Sequence, residues 1–252
     1  MDKIKIDMRV YCFLGGGNLG DVMGLEILKK YFSEFEFNPL SKNYLFFGGS
    51  TFHHHLTYLT EKPNFILFFG NGLSCFEEMV MPECDYKIFP RGSHTKCMLD
   101  RMGIKSEEVI GDIAQFISNE EVIETRGDGE VFIKDAFKDI NYIPENSNII
   151  SVCDDNLTTS YKLINTMDNF KIELSNYMKI ISSQIHPFLI SLMWGFPAKL
   201  VPKDIRALDI TSFFDIPFDC MEEDAKKVRK ISQNNITNMK EILINELNKF
   251  RV

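Results

Sequence analysis

Short apolar runs that end in glycine recur along the first third of the chain, and amphipathic stretches separate them. Met8–Leu14 runs into Gly15-Gly16-Gly17, Tyr44–Phe47 into Gly48-Gly49, and Phe65–Phe69 into Gly70-Asn71-Gly72. Runs of this length read as buried strands, and the glycines as tight turns at their C-terminal ends. Between the first two runs, Leu19, Met23, Ile27 and Tyr31 stack at i+4 spacing, with Leu25, Leu28 and Phe32 as a second stripe, so residues 19–32 predict a helix covered on more than one side. Strands that all end in glycine predict a parallel sheet whose C-terminal edge is lined by loops, the edge at which α/β proteins bind ligands. Tyr86–Phe89 adds a strand. Ser93 then reads as the cap of a helix carrying Cys97, Met98 and Met102 and stopped by Gly103, and Glu108–Ile110 leads to Gly111-Asp112.

Residues 118–147 are polar, carry Arg126-Gly127-Asp128-Gly129, and read as a linker region. A strand follows at Asn148–Cys153, with Asp154-Asp155-Asn156 as a turn. Ile180–Ser183, a helix from Pro187 to Trp194 and Ala198–Val201 continue the strand–helix–strand rhythm. Pro187 suits a first helical turn, where its missing N–H costs nothing. Residues 221–250 predict a long surface helix with Val228, Ile231, Met239, Ile242 and Leu243 facing inward. The expected class is α/β, with an N-terminal domain over 1–117 and a smaller C-terminal one over 148–252.

Composition narrows the partners. The 252 residues are 44% apolar, which is enough for a packed core. Lys and Arg number 28 against 36 Asp and Glu, for a net charge of −8, which argues against nucleic acid because phosphate contacts need a basic face. A small basic pocket for an anionic molecule stays compatible with that balance. No run approaches the ~20 apolar residues that span a bilayer, so no transmembrane segment is expected. The alternating, charged start Met1–Asp7 lacks the apolar stretch of a signal peptide. Six cysteines at 12, 75, 84, 97, 153 and 220 form no C-x-x-C pair, and most sit in apolar surroundings, which suits a reduced, cytoplasmic interior.

Four segments carry candidate chemistry. Gly15-Gly16-Gly17-Asn18-Leu19-Gly20-Asp21 satisfies G-x-G-x-x-G between a strand and a helix, which permits close backbone approach to an anion. Asn18 and Asp21 are unusual in a pyrophosphate turn, since an ionised Asp21 repels phosphate, so a ligand-free turn competes with a dinucleotide there. His53-His54-His55 points in three directions and reads as a packed or solvated loop rather than a metal site. Arg91 lies between Pro90 and Gly92 beside the helix opened by Ser93. A cation at an already positive helix end makes sense if an anion is shared by Arg91, Ser93 and the helix N–H groups; the alternative is an ordinary surface arginine. Ser182-Ser183-Gln184-Ile185-His186-Pro187 sets His186 at a strand-to-helix turn, where it either donates to a phosphate or substrate or is structural.

In order and spacing these segments resemble the polysaccharide pyruvyltransferase family. Phe89-Pro90-Arg91-Gly92-Ser93-His94-Thr95, then Leu99, Met102-Gly103-Ile104 and Val109-Ile110-Gly111-Asp112, are similar to its strongest motif. Asn18-Leu19-Gly20-Asp21 resembles its N-terminal motif, Tyr44–Ser50 its second and Phe68–Gly72 its third. Ser183-Gln184-Ile185-His186 with Gly195-Phe196-Pro197 resembles its Ser-x-Arg-Leu-His and Gly-x-Pro segments. The resemblance covers most of residues 8–205.

That resemblance implies two Rossmann-like domains in a GT-B-like arrangement, with a reduced C-terminal domain, a long C-terminal helix and the site in the cleft between them. It implies transfer of pyruvate from phosphoenolpyruvate to two hydroxyls of a saccharide or glycan acceptor, giving a ketal, with no cofactor. His186 would be the acid, and Asp21 would orient or deprotonate the acceptor hydroxyl. Gly16, Gly17, Asn18, Gly49, Asn71, Arg91, Ser93, Ser183, Gln184 and Lys203 would bind substrate. The family's Arg two residues before the His is Gln184 here, which removes a bidentate anion contact. Two alternatives therefore stand beside pyruvyl transfer. One is a glycosyltransferase with a nucleotide-sugar donor; with no persuasive D-x-D-like motif, a metal-independent reaction is expected. The other is a non-catalytic glycan-binding module.

Overall fold

The computed structural model describes residues 3–11, 19–49, 52, 56, 59, 61–73, 79–124, 127–134, 148–151, 162–163, 166–201 and 205–252. Asp7 and Met8 alone separate β1 (Ile4–Ile6) from β2 (Arg9–Tyr11); α1 (Leu19–Tyr31) and β3 (Phe35–Phe37) follow, and β3 pairs with β1 in parallel, Ile4 opposite Phe35. Next come β4 (Asn43–Phe47), β5 (Phe65–Asn71) and β6 (Asp85–Pro90), which join β2 in a parallel sheet of order β2-β4-β5-β6. The register sets Phe46 opposite Phe68 and Phe47 opposite Phe69, and both pairs stack.

Side chains alternate across a strand, and here both faces are covered, which is why these runs are continuously apolar. Leu45, Phe47, Leu67 and Phe69 face a core with α1 and the second half of the chain. Tyr44, Phe46, Ile66 and Phe68 face another, closed by Phe52, Leu73 and the helix α2 (Ser93–Arg101) through Met98 and Leu99. The glycines after β4 have the expected turn geometry, with φ of +69° at Gly48 and +94° at Gly49. Glu108–Ile110 is not a strand. It runs beside the end of β6, where Ile110 N–H donates to the Pro90 carbonyl at 3.1 Å, and Asp112 then opens a 3₁₀ helix at Ile113–Asn119.

The second sheet is built from β7 (Glu130–Lys134), β8 (Asn148–Ser151), β9 (Lys162–Leu163), β10 (Lys179–Ser182), β11 (Ala198–Leu200) and β12 (Asp219–Cys220). Its order is β9-β8-β7-β10-β11-β12, parallel except for β12. The helices between these strands are α3 (Met167–Leu174), α4 (Ile185–Met193) and α5 (Ile205–Phe214). Strand order switches between the parallel β7 and β10, and such a switch point opens a crevice at the strands' C-terminal ends.

Two expectations are revised. The region 118–147 is not simply a linker: Glu130–Lys134 is a central strand, and polarity around it hid the buried Val131-Phe132-Ile133 core. The second sheet therefore begins before residue 148.

The last helix, α6 (Glu222–Leu247), ties the sheets together. Its stripe of Ala225, Val228, Ile236, Met239 and Leu243 lies in a core shared with α1, α4 and the 3₁₀ helix residues Ile113, Phe116 and Ile117. Farther along, Glu246 meets Lys87 of β6 at 2.8 Å, and Val252 N–H donates to the Lys5 carbonyl at 3.1 Å. No helix among the described residues is long and apolar enough to cross a membrane.

Candidate functional site

Three side chains from distant parts of the chain meet at the C-terminal ends of the strands. Arg91 follows β6, Asp112 opens the 3₁₀ helix, and His186 is the second residue of α4, just beyond β10. Arg91 Nη1 lies 3.2 Å from Asp112 Oδ2, and His186 Nε2 approaches the same oxygen at 3.4 Å without closing a hydrogen bond. Arg91 and Asp112 are 1% exposed and His186 9%, so the group is shut away from water.

Asp112 is held from every side. Its Oδ1 accepts the Ala114 N–H at 2.9 Å, as an N-cap does. Burial, the largest single influence, pushes its carboxyl up; His186, then Arg91 and the Ala114 N–H, together outweigh it, and it settles at about 2. The turn before it is fixed by Gln115, whose Nε2 donates to the carbonyls of Ile110 (3.2 Å) and Asp112 (3.1 Å). Gln115 is held in turn by Asn235 of α6, whose Nδ2 reaches Gln115 Oε1 at 3.0 Å and the Ile110 carbonyl at 2.8 Å. Gly111, at φ +86°, leaves no room for a side chain: a Cβ would overlap Gln115 Nε2 and stand 2.8 Å from Phe213.

Arg91 uses only part of its donor set. Its Nε and Nη2 have no hydrogen-bond partner among the described residues, and neither has Asn71 Oδ1 nearby on the end of β5. Nε and Nη2 share one edge of the guanidinium and present two parallel N–H groups, the fork that matches a carboxylate or phosphate. Gly72 packs against this group, and a Cβ there would overlap the guanidinium. Asn71 Nδ2 donates to the Gly48 carbonyl and pins the ends of β4 and β5 together. Buried donors are nearly always paired, so this edge is the most conspicuous polar feature of the interior.

The sequence-derived residues divide as follows. Arg91 and His186 are brought together; Asn71 ends β5, and Gly49 lies two residues beyond the end of β4. Ser183 is buried and its hydroxyl points 3.5 Å from the Ile133 carbonyl of β7, while Gln184 is the N-cap residue of α4, its N–H bonded to Ser182 Oγ at 3.0 Å. Gly16, Gly17, Asn18 and Lys203 lie outside the described residues, as do His53-His54-His55 and Asp154-Asp155, and Asp21 is described only as a member of α1.

Two expectations about Arg91 and Ser93 are corrected. Arg91 is not a surface arginine, and its carboxylate partner comes from this chain. Ser93 does not cap α2: Gly92 is the N-cap residue, and the anion at the helix start is Asp209 of α5, which accepts the Thr95 N–H at 2.9 Å and the Thr95 hydroxyl. Ser93 Oγ is exposed and lies 3.4 Å from Ser212 Oγ.

Asp112, Gln115 and Asn235 complete the site beyond the residues expected from the sequence. Asp112 follows Gly111, and its position before an apolar Ile113-Ala114 pair is an N-cap signal. Asn235 is half-buried beside the buried stripe of α6, three residues after Ser232, where a polar side chain turned inward needs a partner.

A shallow cavity of about 520 Å³ lies elsewhere, lined by Leu56, Leu59, Pro63, Val80, Met81 and Pro82. Pro63 and Pro82 precede β5 and β6, so it opens at the sheet edge opposite Arg91. Its charged rim groups Lys62 and Glu83 pair with each other at 3.4 Å. The chain matches no protein-family model and none of the curated proteins.

Proposed function

We propose that the chain is a glycan-modifying transferase that takes an anionic donor at Arg91, with pyruvyl transfer from phosphoenolpyruvate to a saccharide as the leading reaction. The observation that carries this reading is the unpaired Nε/Nη2 edge of Arg91, a buried two-pronged cation beside His186. Two Rossmann-like units pressed together in a GT-B-like manner would supply such a site, with donor and acceptor meeting where the C-terminal ends of both sheets converge.

The residues divide the work. Arg91 would hold the donor carboxylate or phosphate, and Asp112 would keep both Arg91 and His186 in place. His186, at the start of α4, would deliver a proton to the donor's methylene carbon, which becomes the methyl of the product. One acceptor oxygen bonds to the adjacent carbon and gives up its proton; phosphate leaves and a second acceptor oxygen takes its place. The two hydroxyl protons end on the methyl group and on phosphate. Asp21 would orient or deprotonate the acceptor hydroxyl, with Gly16, Gly17 and Asn18 around it.

A nucleotide-sugar donor is favoured by one separate observation. The strand order of the second sheet switches between the parallel β7 and β10, and Ser183 beyond β10 reaches across to Ile133 of β7. Crevices of this kind accept nucleotides. Thermal-shift titration with phosphoenolpyruvate and a panel of nucleotide sugars separates the two. A ligand at 100 times its Kd stabilises by about 2.7 kcal/mol. Stabilisation by phosphoenolpyruvate that disappears in Arg91→Met supports the leading reading. Stabilisation by a nucleotide sugar alone replaces it, and glycan binding without turnover of any donor replaces both with a binding module.

A further inference from the structure

We propose that Thr95 and Asp209 are positioning residues for the Arg91 fork, because they hold the backbone wall against which its Nε/Nη2 edge rests; the placing of an anion on that edge rests on the reading above. The wall is Gly72. A Cβ on Gly72 would lie 2.9 Å from Arg91 Nε, 2.7 Å from Cζ and nearer still to Nη2. The backbone of this one residue therefore borders the edge whose two donors have no hydrogen-bond partner among the described residues. A carboxylate or phosphate meets such a fork only at hydrogen-bond distance and in the plane of the guanidinium, so a small shift of Gly72 changes what the fork can hold.

Gly72 is fixed through both of its neighbours. Before it, the Asn71 carbonyl accepts the Arg91 N–H at 2.9 Å, which ties the end of β5 to the arginine's own backbone. After it, the Leu73 N–H donates to Thr95 Oγ at 3.0 Å. The Thr95 hydroxyl has a single proton, which it gives to Asp209 Oδ2, and its lone pairs are left for Leu73. Asp209 Oδ1 takes the Thr95 N–H at 2.9 Å, so one carboxylate fixes both the place of Thr95 and the direction of its hydroxyl. The same carboxyl fills the space beside Gly92, the residue after Arg91, where a Cβ would overlap it. Asp209 thus braces the arginine twice, directly at Gly92 and through Thr95 and Leu73 at the Gly72 wall. Leu73, Thr95 and Asp209 are all buried. In such surroundings a lost link leaves the Leu73 N–H unpaired, and the backbone next to Gly72 moves to find another acceptor.

The test separates the hydroxyl from the shape of its side chain. Thr95→Val keeps the shape and removes the hydroxyl, whereas Thr95→Ser keeps the hydroxyl. A readout that needs no ligand is the Nε–H signal of Arg91 in the NMR spectrum of protein carrying isotope-labelled arginine, assigned by its absence from Arg91→Lys. Arg229, bound to the Met193 and Glu120 carbonyls, is the internal control. The expected result is that the Arg91 signal moves in Thr95→Val and returns to the parent position in Thr95→Ser, with Arg229 unmoved in both. An Arg91 signal that stays in place in Thr95→Val, or that moves together with Arg229, overturns the proposal and leaves Thr95 as a fastener of α2. Asp209→Asn serves if Thr95→Val does not fold: it keeps an acceptor for the Thr95 N–H, sets a donor against the hydroxyl, and is read in the same way. Titration with phosphoenolpyruvate tests the anion separately. Its Kd is expected to rise at least threefold in Thr95→Val and to recover in Thr95→Ser. A Thr95-dependent Arg91 signal with phosphoenolpyruvate binding that is absent, or that is unchanged in Thr95→Val, keeps the brace and removes that donor from the Arg91 edge.

Discussion

The Asp112 carboxylate stands 3.2 Å from the Arg91 guanidinium, and neither side chain is open to water. Removing one partner of such a pair strands the other as an uncompensated buried charge. Asp112→Asn is therefore expected to lower unfolding stability by about 3–5 kcal/mol. Urea denaturation measures it. Replacing both, as Arg91→Met with Asp112→Leu, removes the stranded charge and is expected to cost less than Asp112→Asn alone. A double variant as unstable as the single one would mean that the pair is held for its shape and not for its charge balance.

Asp112 also sets an acid limit. Its carboxyl is pulled from the ordinary 3.8 to about 2 in the folded chain. A carboxyl depressed by folding contributes stability that is present above its unfolded value and is lost as pH falls through the folded one. The window is thus about pH 4 to 2. Glu246 also titrates low, because Lys249 and Lys87 outweigh its burial, so the comparison belongs in a Glu246→Gln background. There the urea midpoint of the parent is expected to fall more steeply from pH 4 to 2 than that of Asp112→Asn. Parallel curves would show that Asp112 is not the group that titrates.

The two central strands of the first sheet are legible because they are apolar runs that lead into glycine. Tyr44–Phe47 and Phe65–Phe69 are strands in the predicted places, with covered faces on both sides. β7 was missed because its three buried residues sit between Gly129 and a polar stretch, where composition outvotes a short run. Arg91 and His186 were readable from their places at strand ends. Their partner was not, because Asp112 is 21 residues from one and 74 from the other, and only the topology brings it between them. The anion at the start of α2 was foreseen as a ligand. It is Asp209, which is 114 residues from Thr95 in sequence, and no local pattern announces such a long-range cap.

Gly72 offers a way to disturb the anion fork without touching a charge. A methyl group there overlaps the Arg91 guanidinium, whereas the Gly72 backbone itself has no φ in the left-handed region. Gly72→Ala is expected to push Arg91 off its seat and to weaken donor-induced thermal stabilisation at least tenfold in apparent Kd. Its own Tm is expected to fall by several degrees, as for other overpacked interior sites. Donor binding equal to that of the parent would place the anion elsewhere.

Asn235 is the residue through which the last helix supports the site. Its amide donates to Ile110 and Gln115, Gln115 donates to Ile110 and Asp112, and Asp112 faces Arg91 and His186. Asn235→Ala leaves Gln115 Oε1 without that donor in the interior, at an expected cost of about 1–3 kcal/mol. Ser232→Ala is the matched control, since Ser232 Oγ is buried on the adjoining stripe with no hydrogen-bond partner among the described residues, and its loss is expected to be neutral. Stability alone does not separate a staple from a positioning residue. If Asn235 positions Asp112, donor Kd measured well below the melting range rises at least threefold in Asn235→Ala and returns toward the parent value in Asn235→His, which can restore one donor. If Kd stays fixed while stability falls, Asn235 only fastens α6 to the 3₁₀ helix, and the site owes its geometry to Gln115 and the Asp112 cap.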